Sequence, residues 1–309
     1  MNNKFGITRN RKRLAAFYQR LPASVQGIFW MVLSTLLFAS MHGVIRALSA
    51  EMHPFQIAFL RNVFGLLIFL PWFWQRGLSL LHTEQLGLHC LRATIMSANM
   101  LAAFTAISLI PLAQVAALQM AMPLAITLGA ILFLGEKARL RRWSALIVGF
   151  CGALVIIRPG VQEISLGMWL MLLVVVLGST GRLMAKRMTE RDSPVTISAY
   201  MTLLMTPLTL LPALWVWQTP SLINLLLLVG IGLIGSGAQL ALVYAYQAAD
   251  MGAVEPITFL RLIWASLIGY VFFAQIPDIW TLLGGFIIFA SATYIVRREA
   301  LLRRAKAAS

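Results

Sequence analysis

Charge is scarce in this sequence. Only 11% of its 309 residues are Asp, Glu, Lys or Arg, and 60% are hydrophobic; soluble domains run nearer to about 25% charged and about 45–50% apolar. With a mean hydropathy of +0.84, the chain holds more apolar surface than a water-soluble fold can bury. Cysteine is rarer still. Two residues, Cys90 and Cys151, exclude a disulfide framework and read as small hydrophobes in or near helices. The four histidines (His42, His53, His82, His89) lack metal-ligand spacing, so no zinc or iron site is expected. No Walker motif and no Ser/His/Asp grouping stands out, which leaves no cofactor expected and disfavours a membrane-embedded enzyme.

Acidic residues are outnumbered 10 to 25 by Lys and Arg, a formal net charge of +15. Such an excess raises the question of nucleic acid. The basic residues instead cluster in short loops and at the two ends, between apolar runs, which is the orientation signal of a membrane protein. The stretch from Lys4 to Arg20 resembles the n-region of a signal peptide, and "ALSA" at 47–50 a weak cleavage site. The following apolar run is too long for an h-region and carries His42 and Arg46, so a retained first helix is expected.

A spanning helix needs about 20 apolar residues. That ruler predicts ten, over 25–48, 55–75, 88–109, 112–134, 142–158, 166–186, 195–217, 222–247, 253–275 and 279–297. Prolines 54, 111, 159, 194, 220 and 277 fall near the junctions, where they cost no helix hydrogen bond. With a cytoplasmic N-terminus, the inside set comprises the tail, the loop with Arg76 and Arg92, "EKARLRR" at 136–142, "KRMTER" at 186–191 and "RREALLRRAK" at the end; the other side has only Arg158. Both termini are then cytoplasmic, in an inner membrane.

The two halves match. A slide of 140 residues sets Gly27 on Gly167, Met31 on Met171, Pro54 on Pro194 and Ile57 on Ile197, with "EMHPFQI" on "RDSPVTI". A unit of five helices, repeated once, inserts upside down the second time. The chain therefore reads as an all-α polytopic membrane protein of ten transmembrane helices in two inverted five-helix repeats, 24–160 and 161–298, between basic cytoplasmic tails at 1–23 and 299–309. Inverted repeats are typical of secondary transporters, with the binding site near the midplane between the halves.

The same slide sets His42 on Arg182 and Arg46 on Lys186. Residues four apart share a helix face, and a charge in the bilayer core costs about 2.5–3.5 kcal/mol on insertion scales. Arg46 and Lys186 lie within a turn of their helix ends and can snorkel to the interface. His42 and Arg182 lie deeper, roughly 9 Å and 6 Å from those ends, where they either face a cavity or form a structural pair. Arg61 is a turn and a half inside the second helix, and Arg261 is the deepest arginine, roughly 12 Å into the ninth. A guanidinium is a fork of donors suited to carboxylate or phosphate, so arginines sharing a cavity imply an anionic group on the substrate; the alternative is satisfaction by backbone carbonyls or a neighbouring Glu. Glu255, before Pro256, and His42 are the candidates for proton coupling, with a helix N-terminal carboxylate as the plainer reading of Glu255. Tyr244 and Tyr246 are polar tips in the eighth helix, and Tyr244 is taken as a candidate cavity residue. "GIGLIG" at 230–235 matches the dinucleotide fingerprint in letters only. It lies inside an apolar run with no strand before it, so its glycines read as packing or gating residues.

"HPFQIAFLRNVFGLLIFLPW" at 53–72, "LGEKARLRRWSALIVGFCGALVIIRPG" at 134–160 and "EPITFLRLIWASLIGYVFFAQIPDIWTLLGG" at 255–285 resemble the EamA-type branch of the drug/metabolite transporter superfamily. Gly135–Glu136 is similar to the family's marker at the end of the fourth helix; the second half has Ala274–Gln275 there. The resemblance implies ten helices in two inverted repeats, a central cavity and alternating access without ATP hydrolysis. Substrates vary across such a family. Within it, "FQIAFLRN" and the stretch from Pro256 look like carriers of S-adenosylmethionine and related organic metabolites, although Arg261 stands where an acidic residue is expected in such a carrier. The expected function is secondary transport of a small organic metabolite with an anionic or zwitterionic group, export being the commoner direction. A flippase-like lipid carrier and a passive channel are the alternatives. The partners implied are that substrate, the lipid bilayer and a coupling proton; oligomeric state is not legible.

Overall fold

The computed structural model describes residues 22–133, 140–160 and 163–307. The basic N-terminal stretch and the Gly135–Glu136 pair lie outside them. Every regular element among the described residues is helical: α1 Ala23–Leu48, α2 Pro54–Gly65, α3 Leu70–Arg76, α4 Leu86–Leu109, α5 Leu112–Gln119, α6 Met122–Phe133, α7 Leu140–Ile157, α8 Leu166–Met188, α9 Pro194–Trp215, α10 Leu222–Ala248, α11 Met251–Val254, α12 Leu260–Phe273 and α13 Ile279–Ala307. Eight segments among the described residues are long and apolar enough to cross a membrane, with α2 and α3 counting as one span and Glu255–Phe273 as another. Trp143–Ile157 and Ile279–Ile295 are apolar but shorter.

Three of the expected helices are not continuous. The second passes through a 3₁₀ turn at Leu66–Phe69 before α3. The fourth breaks after Gln119, and α6 starts at Met122. Pro123 is the reason, because it has no N–H for the Gln119 carbonyl, and Met120 and Ala121 close the turn with bonds to the carbonyls of Ala117 and Leu118 instead. The ninth runs through α11 and a 3₁₀ segment at Glu255–Phe259, opened by Pro256, before α12. The tenth helix continues past the expected boundary at 297, as far as Ala307.

Equivalent residues start equivalent helices. His53 caps α2 by accepting from Phe55 N, and Ser193 caps α9 by accepting from Thr196 N, each followed by proline at the first helical position, where proline's missing N–H costs nothing. The halves are interleaved rather than side by side: α1 packs along α10, and α4 along α8. Gly27 and Gly167, equivalent under the slide, both mark these crossings. A Cβ on Gly27 would come 2.6 Å from the Ala249 Cβ, and one on Gly167 would come 2.7 Å from Ile110. Helices α7 and α13, whose apolar stretches are the short ones, pack on each other through Gly152 and Gly284, the close backbone approach that small residues permit between membrane helices.

Candidate functional site

A cavity of about 110 Å³ lies between the halves. Arg61, Arg92, Arg182, Arg261 and His42 all line it, and the four arginines are only 3–8% exposed. Each guanidinium is positioned differently. Arg61 Nη1 donates to Asn62 Oδ1 at 2.8 Å, and Asn62 in turn donates to the Thr209 hydroxyl. Gly235 on α10 makes room for Arg61: a Cβ there would lie 2.7 Å from its Nε and Nη2. Arg92 Nε donates to the Gly181 carbonyl at 3.1 Å, joining α4 to α8. Arg182 Nη1 donates to Glu255 Oε2 at 2.8 Å, and the other carboxylate oxygen accepts from the Tyr246 hydroxyl at 2.5 Å.

Arg261 sits where the two broken segments meet. Its Nη1 donates to Gln119 Oε1 at 2.8 Å across 142 positions of sequence, and its guanidinium carbon lies 4.9 Å above the Phe38 ring, within cation–π range. Gln119 reaches it because Pro123 ends α5 there. Of these four arginines, Arg182 is paired with a carboxylate, and the others are held by amide or backbone oxygens. Several buried polar atoms on the wall have no hydrogen-bond partner: Arg61 Nε, Arg261 Nε and Nη2, Gln239 Nε2 and Asn99 Oδ1. Buried donors are normally satisfied, so this set is donor-rich and its hydrogen-bonding capacity is unspent. Among the described residues no group of three His, Cys, Asp or Glu is arranged for a metal ion.

The structure thus brings Arg261, Arg182, His42 and Arg61 together, and puts Glu255 behind Arg182. It does not bring Tyr244. That ring stacks on Trp30, with centroids 5.0 Å apart, and packs with the cluster around Phe69 and Leu80. Residues two apart on a helix point to opposed faces, so Tyr246 faces Glu255 while Tyr244 faces away.

Arg92 is a correction: the sequence reading put it in a cytoplasmic loop, whereas it lies inside α4, buried, on the cavity wall. Arg92, Met96, Asn99, Met100 and Ala103 share that wall, at the four- and seven-residue spacing of one helix face. That spacing was the available signal. Gln119 and Gln239 were also not anticipated, since an amide carries no charge to flag it within an apolar run. Nor is Glu255 alone among buried acids. Asp192, 8% exposed, accepts from Thr83 and Gln85, and its Oδ2 lies 2.9 Å from His89 Nε2. Arg46 and Lys186 cap helix ends: Arg46 Nη1 donates to the Ile107 carbonyl, and Lys186 Nζ to those of Tyr246 and Ala249. Gln275 replaces the acidic marker with an amide whose oxygen accepts from Leu112 N, at the start of α5.

The chain is similar to known proteins over most of its length. It is 32% identical over 280 residues to a riboflavin transporter of Vibrio cholerae, covering 89% of this chain and 94% of the relative. It is 26% identical over 273 residues to an S-adenosylmethionine uptake transporter of Rickettsia bellii, covering 88% and 94% respectively. One crystal structure superposes with a TM-score of 0.59 at 18% identity over 89% of this chain and 98% of that one, a likeness of fold. The EamA-like transporter family matches residues 25–158 and again residues 165–297. Two such matches on a multi-pass helical chain place it: the chain belongs to the EamA-like transporter family, and is a membrane transporter of a small metabolite rather than an enzyme.

Proposed function

We propose that the chain is a secondary active transporter of a small organic metabolite bearing an anionic or zwitterionic group, working by alternating access. It has ten membrane helices in two inverted repeats, 24–160 and 161–298, and sits in the inner membrane with basic tails at both ends on the cytoplasmic side. One observation carries the anionic character: Arg61, Arg92, Arg182 and Arg261, drawn from both halves, are buried on one cavity, and among the described residues the carboxylate paired with any of them is Glu255. Uncompensated charges in a membrane interior are costly and mark substrate pathways. The interleaving of α1 with α10 and of α4 with α8 supports the inverted duplication, since the first helix of each half pairs with the third helix of the other. Discontinuous helices at α5–α6 and α11–α12 support a site near the midplane. A relative named for uptake weighs toward import and against the export expected from the sequence. A coupling proton would act at Glu255, because protonating that carboxylate releases Arg182 toward the cavity.

The test is transport into proteoliposomes of a panel of carboxylates, amino acids, nucleosides and vitamins, with riboflavin and S-adenosylmethionine included, by wild type and Arg261→Ala, with and without an imposed pH gradient. Accumulation of an anionic or zwitterionic compound that is lost in a folded Arg261→Ala supports the reading. Movement of only neutral or cationic solutes, indifferent to Arg261→Ala, overturns the anionic part and leaves the transporter.

A further inference from the structure

Resting on that function, we infer that the substrate's acidic group is a carboxylate or phosphate seated on the outer edge of Arg261, and that Gln119 is the positioning residue that aims this edge. Three observations on different elements converge. Arg261 Nη1 is occupied by Gln119 Oε1. Phe38 covers one face of the guanidinium at 4.9 Å. Nε and Nη2 are buried with no partner. Those two nitrogens carry parallel N–H bonds on the same edge, the fork that a carboxylate or phosphate accepts in bidentate fashion. A neutral carbonyl meets one of the two donors; a two-oxygen anion meets both and supplies the missing charge.

Gln119 makes the edge selective. The carboxamide takes one nitrogen without neutralising the guanidinium, so the positive charge stays available to the substrate. A glutamate in the same place would pair with Arg261 and cancel that charge without changing the side chain's shape. Gln119 exists in this position because α5 stops there, and the broken fourth segment thereby acts on the broken ninth. Arg61 shares part of this arrangement, with Nη1 held by the amide oxygen of Asn62 and a buried Nε that has no partner.

Three aromatic probes that differ only in the head group test this: benzoate, phenyl phosphate and neutral benzamide, added at matched ionic strength to the detergent-purified full chain while its melting temperature is followed. Ligands that bind the folded state raise it, and a free concentration about four- to fivefold over Kd corresponds to about 2–4 °C. The expected result is that benzoate or phenyl phosphate stabilises wild type, benzamide does not, and the stabilisation disappears in Gln119→Glu, which is nearly isosteric. The larger of the two anion shifts identifies the head group. Arg261→Lys, which keeps the charge and loses the fork, should retain less than half the shift. Equal shifts from benzamide and the anions, no shift from either anion, or an unchanged shift in Gln119→Glu each overturns the assignment. The wild-type comparison decides even where a variant does not fold. Transport of some metabolite by a protein that fails this test would leave the proposed function standing and remove only the role of Arg261.

Discussion

Arg182 on α8 and Glu255 in the 3₁₀ segment before α12 form an ion pair at 2.8 Å, with side chains 9% and 4% exposed. The pair lies within the second half, and Arg182 also faces the cavity that the first half completes. Any rearrangement that opens the cavity past α12 must therefore move this pair or break it.

Removing one partner of a buried pair leaves the other charged and unpaired, at a cost of about 3–5 kcal/mol. Glu255→Gln and Arg182→Met should each destabilise the protein by about that amount, and the double variant by clearly less than the sum. Tyr246→Phe removes a hydrogen bond to the same carboxylate and should cost about 1.5–3 kcal/mol. Reversible unfolding in mixed micelles reads all four. An additive double variant would mean that the pair is not coupled.

The glycines of "GIGLIG" separate by what a methyl group would meet. At Gly230 nothing lies within 4 Å, whereas at Gly232 a Cβ would stand 2.8 Å from the backbone nitrogen of Gly65. Gly230→Ala should be neutral or slightly stabilising; Gly232→Ala should cost about 1–3 kcal/mol, because backbone cannot yield as a side chain can. At Gly235 the obstacles are the Met41 sulfur at 2.5 Å and the Arg61 guanidinium at 2.7 Å, both on side chains that can swing aside. Gly235→Ala should leave the fold intact and weaken substrate binding. Thermal stability and transport KM, measured on the three variants, separate these outcomes.

Much of the cavity was legible from depth alone. Arg182, Arg261, His42 and Arg61 lie too far from helix ends to reach water easily, and a charge held there needs protein or a cavity around it. The bends were harder to read. Pro123 and Pro256 are visible in sequence, but where a proline breaks a helix inside an apolar run depends on which carbonyl finds another donor, and that is decided by neighbouring helices. Arg92 was hidden by position: it follows a polar stretch, "HTEQLGLH", which resembles a loop although α4 already begins at Leu86. Tyr244 shows the limit of composition, since polarity marks both tyrosines of the eighth helix and only the helical phase tells which one turns inward.

Asp192 ties two connections together outside the cavity. Its carboxylate takes Thr83, Gln85 and His89, while Thr196 and Tyr200 hold the carbonyls of Leu80 and Leu81. The reciprocal place, where Gln56 holds the backbone of Gln218 and Asn224 donates to Glu51, shares none of these residues. Asp192→Asn should therefore speed amide exchange over 79–89 by about tenfold or more, the loss of about 1.4 kcal/mol or more in local stability, and leave 216–224 unchanged. Equal acceleration at both places would show global destabilisation instead of a local latch.

The proposed inverted duplication makes the sharpest prediction about topology. Ala50 and Glu190 are 140 residues apart, each just beyond the first helix of its half, and both are exposed. Arg46 and Lys186, one turn earlier, each hold carbonyls near the end of their own half's third helix, so the two corners have the same local structure. If the halves are related by inversion, equivalent corners lie on opposite faces of the membrane. The native thiols, Cys90 and Cys151, are both exposed and must first be replaced by serine. In that background Ala50→Cys should react with a membrane-impermeant maleimide in intact spheroplasts, and Glu190→Cys only after permeabilisation, since the proposed orientation puts the Lys- and Arg-rich connection at 186–191 on the cytoplasmic side. Labelling of both from the same side would require parallel repeats, and would overturn the ten-helix inverted arrangement together with the orientation built on it.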